Sequence, residues 1–180
     1  MQDKTDVRYS RTSERSPGKT RGSKTPEKPR HSAKAYAIWL LSKREYSAAT
    51  LRKKLLARGY DAEETATAMQ FLQENNYQSD SRYAGMKARS TAHRAGDWKI
   101  SRQLVQKGVA EELAKEQIAE LPPEDERAAQ AANAKFLQQV IEAGMSPELS
   151  QKIWRYLGYR GFSSHAIKHA LTCLRHEAST

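Results

Sequence analysis

Residues 51–60 read LRKKLLARGY, residues 100–109 read ISRQLVQKGV and residues 153–162 read IWRYLGYRGF. Each segment has an aliphatic residue, a basic residue and a leucine at fixed positions, followed by a basic residue, a glycine and an apolar residue. The three glycines are 49 and 53 residues apart. A pattern that recurs at this period predicts an architecture of repeated supersecondary units. Such units build extended binding surfaces.

Each of the three glycines, Gly59, Gly108 and Gly161, is expected to end a helix. Beyond each glycine, mostly apolar residues recur six, ten and thirteen positions on. Steps of four and three keep side chains on one helix face. Glycine supplies the left-handed conformation that ends a helix without a Cβ clash. The sequence therefore predicts two helices in each repeat, joined at the glycine.

Polar residues just before the predicted helices supply their N-caps. Ser47 and Asp61 are expected to accept hydrogen bonds from the first free backbone amides. Asp61 with Glu64 has the spacing of a capping box. Gly96 is expected to break one helix, and Asp97 is expected to cap the next one.

The chain divides into a tail and three units. The expected fold class is all-α, with about nine helices in three tandem three-helix units that form an elongated, repeat-like arrangement. The units are assigned to residues 34–80, 81–122 and 123–180. Residues 1–33 have too few apolar groups to offset chain entropy and are expected to form a disordered basic tail. A unit of about 45 residues supports a core with difficulty, so the units either pack together or form small, mutually dependent bundles.

The composition indicates a polyanionic partner. The 180 residues include 31 Lys and Arg against 21 Asp and Glu, a formal net charge of +10, which favours a nucleic acid or an acidic protein surface. No stretch approaches the ~18 apolar residues of a membrane span, and the N-terminus lacks the apolar core of a signal peptide. The single cysteine, Cys173, excludes an intrachain disulfide. We therefore expect a cytoplasmic protein that does not enter a membrane.

Cations recur at one position in the middle helix of each unit. At about 100° per residue this position lies opposite the apolar stripe and faces away from the core. Adjacent lysines widen the charged face. The predicted partner-binding residues are Lys53, Lys54, Lys99, Arg102, Lys152 and Arg155. The alternative is an ordinary solvated helix surface.

Other charges have different explanations. Arg58, Lys107 and Arg160 lie beside helix C-termini, where the helix dipole favours a cation. A three-helix unit with a short glycine turn also suggests a helix-turn-helix DNA reader. However, acidic residues such as Glu111 and Glu112 crowd the helix that would enter the groove, and they repel phosphate. Sequence-specific duplex binding is therefore disfavoured.

No catalytic arrangement is recognisable in the sequence. There is no phosphate-cradling glycine loop, no nucleophile-elbow motif and no closely spaced cysteine pair. His165, His169 and Cys173 follow at steps of four, a spacing that can place metal ligands on one helix face. The repeat aligns both histidines with polar, outward positions, so we expect no metal site. Three tryptophans are assigned to core or edge packing: Trp39, Trp98 and Trp154.

Four segments together resemble the bacterial RecX family of regulatory proteins. They are 51–60, 77–84 (YQSDSRYA), 100–109 and 156–162 (YLGYRGF), and the resemblance extends over about residues 34–175. The family consists of tandem three-helix units and modulates the RecA recombinase. The resemblance implies a non-enzymatic monomer without a cofactor that lies along the groove of the RecA–DNA filament. It also implies that the protein inhibits ATP turnover and strand exchange by RecA. The processes concerned are homologous recombination, DNA repair and the SOS response.

The implied partners are the RecA filament and the single-stranded DNA within it, with weak direct binding to DNA in addition. The runner-up hypothesis, which the basic composition suggests, is an autonomous nucleic-acid-binding protein. The two hypotheses differ in one measurable property. A filament modulator acts at concentrations far below those needed to bind naked DNA.

Overall fold

The structure, a computed structural model, describes residues 31–179. Over that range the chain forms helices and no strand, which confirms the predicted all-α class. The nine helices found there are α1 (Ala33–Leu41), α2 (Ala48–Arg58), α3 (Ala62–Glu74), α4 (Asp80–Ala92), α5 (Asp97–Gln106), α6 (Glu111–Ala119), α7 (Glu124–Ala143), α8 (Pro147–Tyr159) and α9 (Ser164–Glu177). The expected disordered tail lies outside the described residues as far as residue 30.

The first bundle includes residues that the sequence assigned to the tail. Ser32 caps α1 through its side chain, and Ala33 is fully buried. The amide of Ala33 donates a hydrogen bond to the Glu64 carboxylate (2.9 Å), and the hydroxyl of Tyr60 donates to the carbonyl of His31 (2.8 Å). These bonds tie the start of the described chain to α3 and to the turn before it.

Each three-helix unit has its own apolar core. The sequence left open whether the units share their packing, and the structure shows three separate clusters of buried side chains. The middle helix of each unit contributes two aliphatic residues four positions apart, each at most 1% exposed. These pairs are Leu51 and Leu55, Ile100 and Leu104, and Ile153 and Leu157. Burial of one such side chain stabilises the fold by about 1.5–3 kcal/mol, so each unit is held together mainly by local packing.

The helix ends predicted at the three glycines are confirmed. Gly59, Gly108 and Gly161 follow the C-termini of α2, α5 and α8 with φ values of +103°, +82° and +82°. This is the left-handed region, which a side chain would disfavour. The predicted caps Ser47 and Asp61 also accept hydrogen bonds from the first turns of α2 and α3.

Two other cap predictions are wrong. The Glu64 carboxylate binds the amide of Ala33 in α1 instead of completing a capping box with Asp61. The N-cap of α5 is Gly96, not Asp97, and no side chain caps this helix. Asp97 is the first helical residue, and its carboxylate forms an ion pair with Arg127 of the third unit.

The first and second units are joined at the start of α2. The hydroxyl of Ser47 donates to the carbonyl of Lys107 (2.5 Å), just before Gly108. The amide of Ala48 donates to the carboxylate of Asp80 (2.8 Å), the first residue of α4. The amide of Ala48 is one of the first amides of α2, which have no carbonyl partner within the helix, whereas the Ser47 donor is a side-chain hydroxyl.

The second and third units are joined in the same way at the start of α5. The amide of Gly96 donates to the carbonyl of Arg160 (3.0 Å), just before Gly161. The amide of Asp97 donates to the carboxylate of Glu124 (2.9 Å), the first residue of α7. In both joints, therefore, the N-cap residue donates to the carbonyl before the next glycine, with its side-chain hydroxyl at Ser47 and its backbone amide at Gly96. A carboxylate at the start of a helix accepts the amide that follows.

Arg127 strengthens the second joint from the interior. Its side chain is only 3% exposed and pairs with Asp97. It also donates to the carbonyls of Ala92 (3.3 Å), Ala95 (3.0 Å) and Pro122 (2.8 Å). Burial raises the pKa of Asp97 above its ordinary value, and this outweighs the opposite effect of the Arg127 guanidinium. The rigid fork of guanidinium donors makes this joint geometrically specific.

Candidate polyanion-binding cleft

An open cleft of about 660 Å³ lies between the second and third units. It is bounded by the end of α4, by α5 and by α8. Its charged lining is entirely basic: Arg94, Lys99, Lys152, Arg155 and Arg160. Two tyrosines, Tyr156 and Tyr159, also line it. A concave surface with charge of one sign concentrates the electrostatic field and attracts an oppositely charged partner.

The packing of α5 and α8 determines which side chains reach the cleft. On α8, Lys152, Arg155, Tyr156 and Tyr159 follow at steps of three, one and three, so they share one helix face. Ile153 and Leu157 of the same helix are buried in the third core. The repeat that buries one face of α8 therefore turns its basic and aromatic face towards α5.

Two of the five cations are held in place by hydrogen bonds that cross between the second and third units. The ammonium of Lys99 donates to the carbonyl of Tyr159 (3.2 Å) and lies 4.8 Å from the centre of the Tyr159 ring. The guanidinium of Arg160 donates to the carbonyl of Arg94 (3.0 Å) and lies 4.3 Å from the centre of the Tyr156 ring. Carbonyls and rings position these charges without neutralising them.

The other three cations have no acidic partner in the cleft. The ammonium of Lys152 lies 3.5 Å from the amide oxygen of Gln139. Arg94 and Arg155 are exposed. The three ion pairs found within residues 31–179 involve other cations: Arg82, Lys115 and Arg127. The cleft thus presents basic groups that are free to contact an anion.

The structure brings together half of the predicted partner-binding residues. Lys99, Lys152 and Arg155 line the cleft. The other three are not among its lining residues. Lys53 is exposed on α2, Lys54 lies 5.4 Å from the ring of Tyr46, and Arg102 lies 5.2 Å from the ring of Trp98.

Sequence reasoning missed Arg94 and Arg160 as members of the cleft. Arg94 lies in the loop before α5 and has no counterpart in the repeated motif. Arg160 was explained by its place at a helix end, but its guanidinium reaches across to the second unit. Only the packing of two units reveals either role. The sequence offered one signal for Arg94 as a binding residue, namely its position as a basic residue between two predicted helices.

Gly161 shapes the floor of the cleft as well as ending α8. A Cβ at this position would lie 2.6 Å from the Cβ of Lys99, which is much closer than van der Waals contact. The missing side chain therefore lets α5 approach the end of α8. That approach places Lys99 beside Tyr159.

The remaining candidate residues do not form a second site in the part of the chain that is described. No group of three potential metal ligands occurs among residues 31–179. His165 and His169 are exposed, and Cys173 packs against the third core. The tryptophans are not core residues, which corrects the first half of their assignment to core or edge packing, because all three are substantially exposed: Trp39, Trp98 and Trp154. None of the helices in this range combines the length and apolar character needed to cross a bilayer.

Comparisons with known proteins agree with the tandem arrangement. Residues 33–72 match the family model for the first three-helix domain of RecX, and residues 79–116 match the model for the second. The chain is 36% identical over 146 residues to the regulatory protein RecX of Vibrio parahaemolyticus serotype O3:K6, covering 80% of this chain and 92% of that protein. It is 31% identical over 144 residues to RecX of Haemophilus ducreyi, covering 79% of this chain and 93% of that protein.

Two solved structures share the fold. The crystal structure of RecX from Lactobacillus salivarius superposes with a TM-score of 0.69 at 18% identity, covering 79% of this chain and 94% of that one. A second crystal structure of a regulatory protein RecX gives a TM-score of 0.64 at 23% identity, covering 78% and 73%. At these identities the superpositions support the architecture alone.

Proposed function

Because this chain belongs to the RecX family of regulatory proteins, we propose that it binds the RecA–DNA filament and inhibits its ATP turnover and strand exchange. In this proposal it acts as a cytoplasmic monomer and catalyses no reaction itself. It lies in the filament groove and contacts both protein and DNA. Inhibition follows because the bound protein opposes the changes that a filament undergoes as it hydrolyses ATP and exchanges strands.

The cleft between the second and third units is the observation that carries this proposal. Its five cations face no lining carboxylate, so an anionic partner gains their full attraction. DNA phosphates supply such charge at regular spacing, and contacts to them dominate the affinity of most DNA-binding proteins. The cleft is also open, so a continuous strand is able to pass through it.

The repeated joint suggests how one molecule follows a filament. Arg102 in α5 has the position, relative to its glycine, that Arg155 has in α8. Both joints connect neighbouring units at equivalent positions, through the Ser47 hydroxyl in the first and the Gly96 amide in the second. Successive units therefore offer outward cations at related positions, as expected for a protein that contacts successive protomers or the DNA between them.

A second candidate function is autonomous nucleic-acid binding. The net charge of +10 and the absence of a carboxylate in the lining of the cleft both favour it. The two functions predict different concentration dependences. A filament regulator changes ATP hydrolysis by RecA well below the concentration at which it binds naked DNA.

The experiment titrates the protein into RecA on single-stranded DNA and follows ATP hydrolysis, with binding to the same DNA measured in parallel. The cleft variant is Arg94→Glu/Lys152→Glu/Arg155→Glu. It has a matched control, Lys43→Glu/Lys168→Glu/Arg175→Glu, which makes the same change in net charge at exposed positions away from the cleft. We expect the cleft variant to require at least about tenfold more protein for half-maximal inhibition, because it reverses local charge at phosphate contacts.

The control variant should inhibit nearly as well as the unaltered protein. Equal weakening by both variants would show that only total charge matters. Inhibition that appears only once naked DNA is saturated would favour the second candidate function.

A further inference from the structure

We propose that the cleft is a seat for single-stranded nucleic acid, in which a base stacks on Tyr159 and the adjoining phosphates contact Arg94, Lys152 and Arg155. The biological meaning of this seat rests on the proposed function. Binding of a strand in the cleft depends only on the residues that line it, and this binding can be tested without a filament.

Tyr159 has the properties of a stacking platform. Its side chain is 86% exposed, the largest value among the exposed large apolar side chains of the described range. It is nevertheless positioned, because Lys99 binds its backbone carbonyl and lies beside its ring. A ring on a fixed helix end loses little conformational entropy when a base stacks on it. An aromatic face held in a basic groove is how sequence-tolerant proteins hold unpaired bases.

Tyr156 forms a wall of the cleft and is not a second platform. Its half-buried ring packs edge-on against Phe136, with 5.2 Å between centroids. The ammonium of Lys135 and the guanidinium of Arg160 each lie 4.3 Å from its centre. This ring already has partners on several sides, so a base in the cleft has Tyr159 as its exposed aromatic surface.

The basic groups are spaced for a strand. Lys152, Arg155 and Tyr159 lie along one face of α8, and the first and last of them are about 10 Å apart along the axis at 1.5 Å per residue. Arg94 contributes from the opposite side of the cleft. Consecutive nucleotides rise by about 3.4 Å when their bases are stacked. The face therefore has room for more than one nucleotide, with a base at the Tyr159 end and phosphates towards Lys152.

This geometry selects a single strand over a duplex. A base can stack on Tyr159 only if one of its faces is free, and in a duplex each face is covered by a neighbouring base pair. Opening a duplex to free a base costs energy that an open cleft does not recover. A duplex can still approach the cations through its phosphates, but it gains nothing from the ring.

The test measures binding of labelled strands by fluorescence anisotropy in the absence of RecA. The probes are an oligothymidylate of about ten nucleotides, an abasic strand of equal length, and a duplex. The variants of the full chain are Tyr159→Ala, Tyr159→Phe and the control Tyr77→Ala, which removes a tyrosine that is 49% exposed in the first unit. Circular dichroism confirms that each variant is folded.

We expect Tyr159→Ala to weaken oligothymidylate binding by at least about fivefold, in line with the effect of losing one base–aromatic stack. Tyr159→Phe and Tyr77→Ala should bind oligothymidylate as the unaltered protein does. Tyr159→Ala should leave the abasic strand and the duplex nearly unaffected, because neither offers a base to stack.

Two results would overturn the assignment. An equal loss on the abasic strand would mean that Tyr159 acts on the backbone or on the fold. Displacement of the oligonucleotide by free thymidine monophosphate or ATP at similar concentrations would identify a site for free nucleotides. If the stacking loss appears as expected but RecA inhibition is unchanged by Tyr159→Ala, the seat stands and its role in the proposed function fails.

Discussion

At the residue scale, glycine is needed at position 96 because there is no room for a side chain, and not because the backbone conformation demands it. Its φ of −75° is open to any residue. A Cβ there would collide with the backbone of Gly161 and Phe162. The sequence marks Gly96 only as a helix breaker, because the backbone that it must admit belongs to a distant part of the chain.

Replacement of Gly96 by alanine should therefore separate or strain the second and third units. We expect Gly96→Ala to lower the free energy of unfolding by about 1–3 kcal/mol, the usual cost of overpacking a close contact. Gly158→Ala is the matched control, since its Cβ would lie 4.0 Å from Ile167. Alanine there should stabilise α8 by up to about 1 kcal/mol through helix propensity. Urea denaturation of both variants measures the difference, and equal midpoints would refute the close-contact argument.

Arg127 offers a second residue-scale prediction. Replacing it with methionine removes the donor to three carbonyls and leaves Asp97 without its ion-pair partner. We expect a loss of about 3 kcal/mol in the free energy of unfolding, because three carbonyls lose a buried charged donor. Asp97→Asn should cost clearly less, since that side chain is 41% exposed. The same urea denaturation series checks the order, and a larger effect of Asp97→Asn would contradict it.

At the element scale, the local pattern accounts for the helices but only partly for the cleft. The repeat determined which face of α5 and α8 is buried, so the outward cations Lys99 and Arg155 were predictable. Which of these cations line the same cleft depends on the orientation of one unit relative to the next. That orientation is set by the joint at Gly96 and by Arg127, and no periodicity in the sequence encodes it. The cap at Asp97 was mispredicted for the same reason, because its carboxylate is used between units.

The recurrent cations outside the cleft give an element-scale prediction. Lys53→Glu/Arg102→Glu should leave the melting temperature nearly unchanged, since exposed charges contribute about 0–1 kcal/mol to folding. Binding of a short naked strand should weaken less than in the cleft variant, because neither side chain lines the cleft. Filament binding should weaken several-fold if these outward groups contact protomers, and the loss should shrink in high salt. Unchanged filament binding would make these two cations an ordinary solvated surface.

At the scale of the whole molecule, three small cores are connected by two polar joints. Nearest-neighbour connection of this kind lets stability add unit by unit. The third unit lacks one of the two donors that the joints use, because α8 begins with Pro147, where α2 and α5 begin with Ala48 and Asp97. Proline has no amide hydrogen. The start of α8, the joint position of the third unit, therefore differs in chemistry from its counterparts in the first two units.

The basic N-terminal segment provides the whole-molecule prediction. Residues 1–30 contain nine Lys and Arg against four Asp and Glu. Deleting them should leave the melting temperature nearly unchanged while weakening DNA-dependent binding and flattening its salt dependence, because fewer counterions are released. Deleting residues 1–33 is the sharper comparison, since it also removes the Ser32 cap and the buried Ala33. That longer deletion should lower the free energy of unfolding by about 1–2 kcal/mol. Equal stability of the two truncated chains would show that the first unit begins after residue 33.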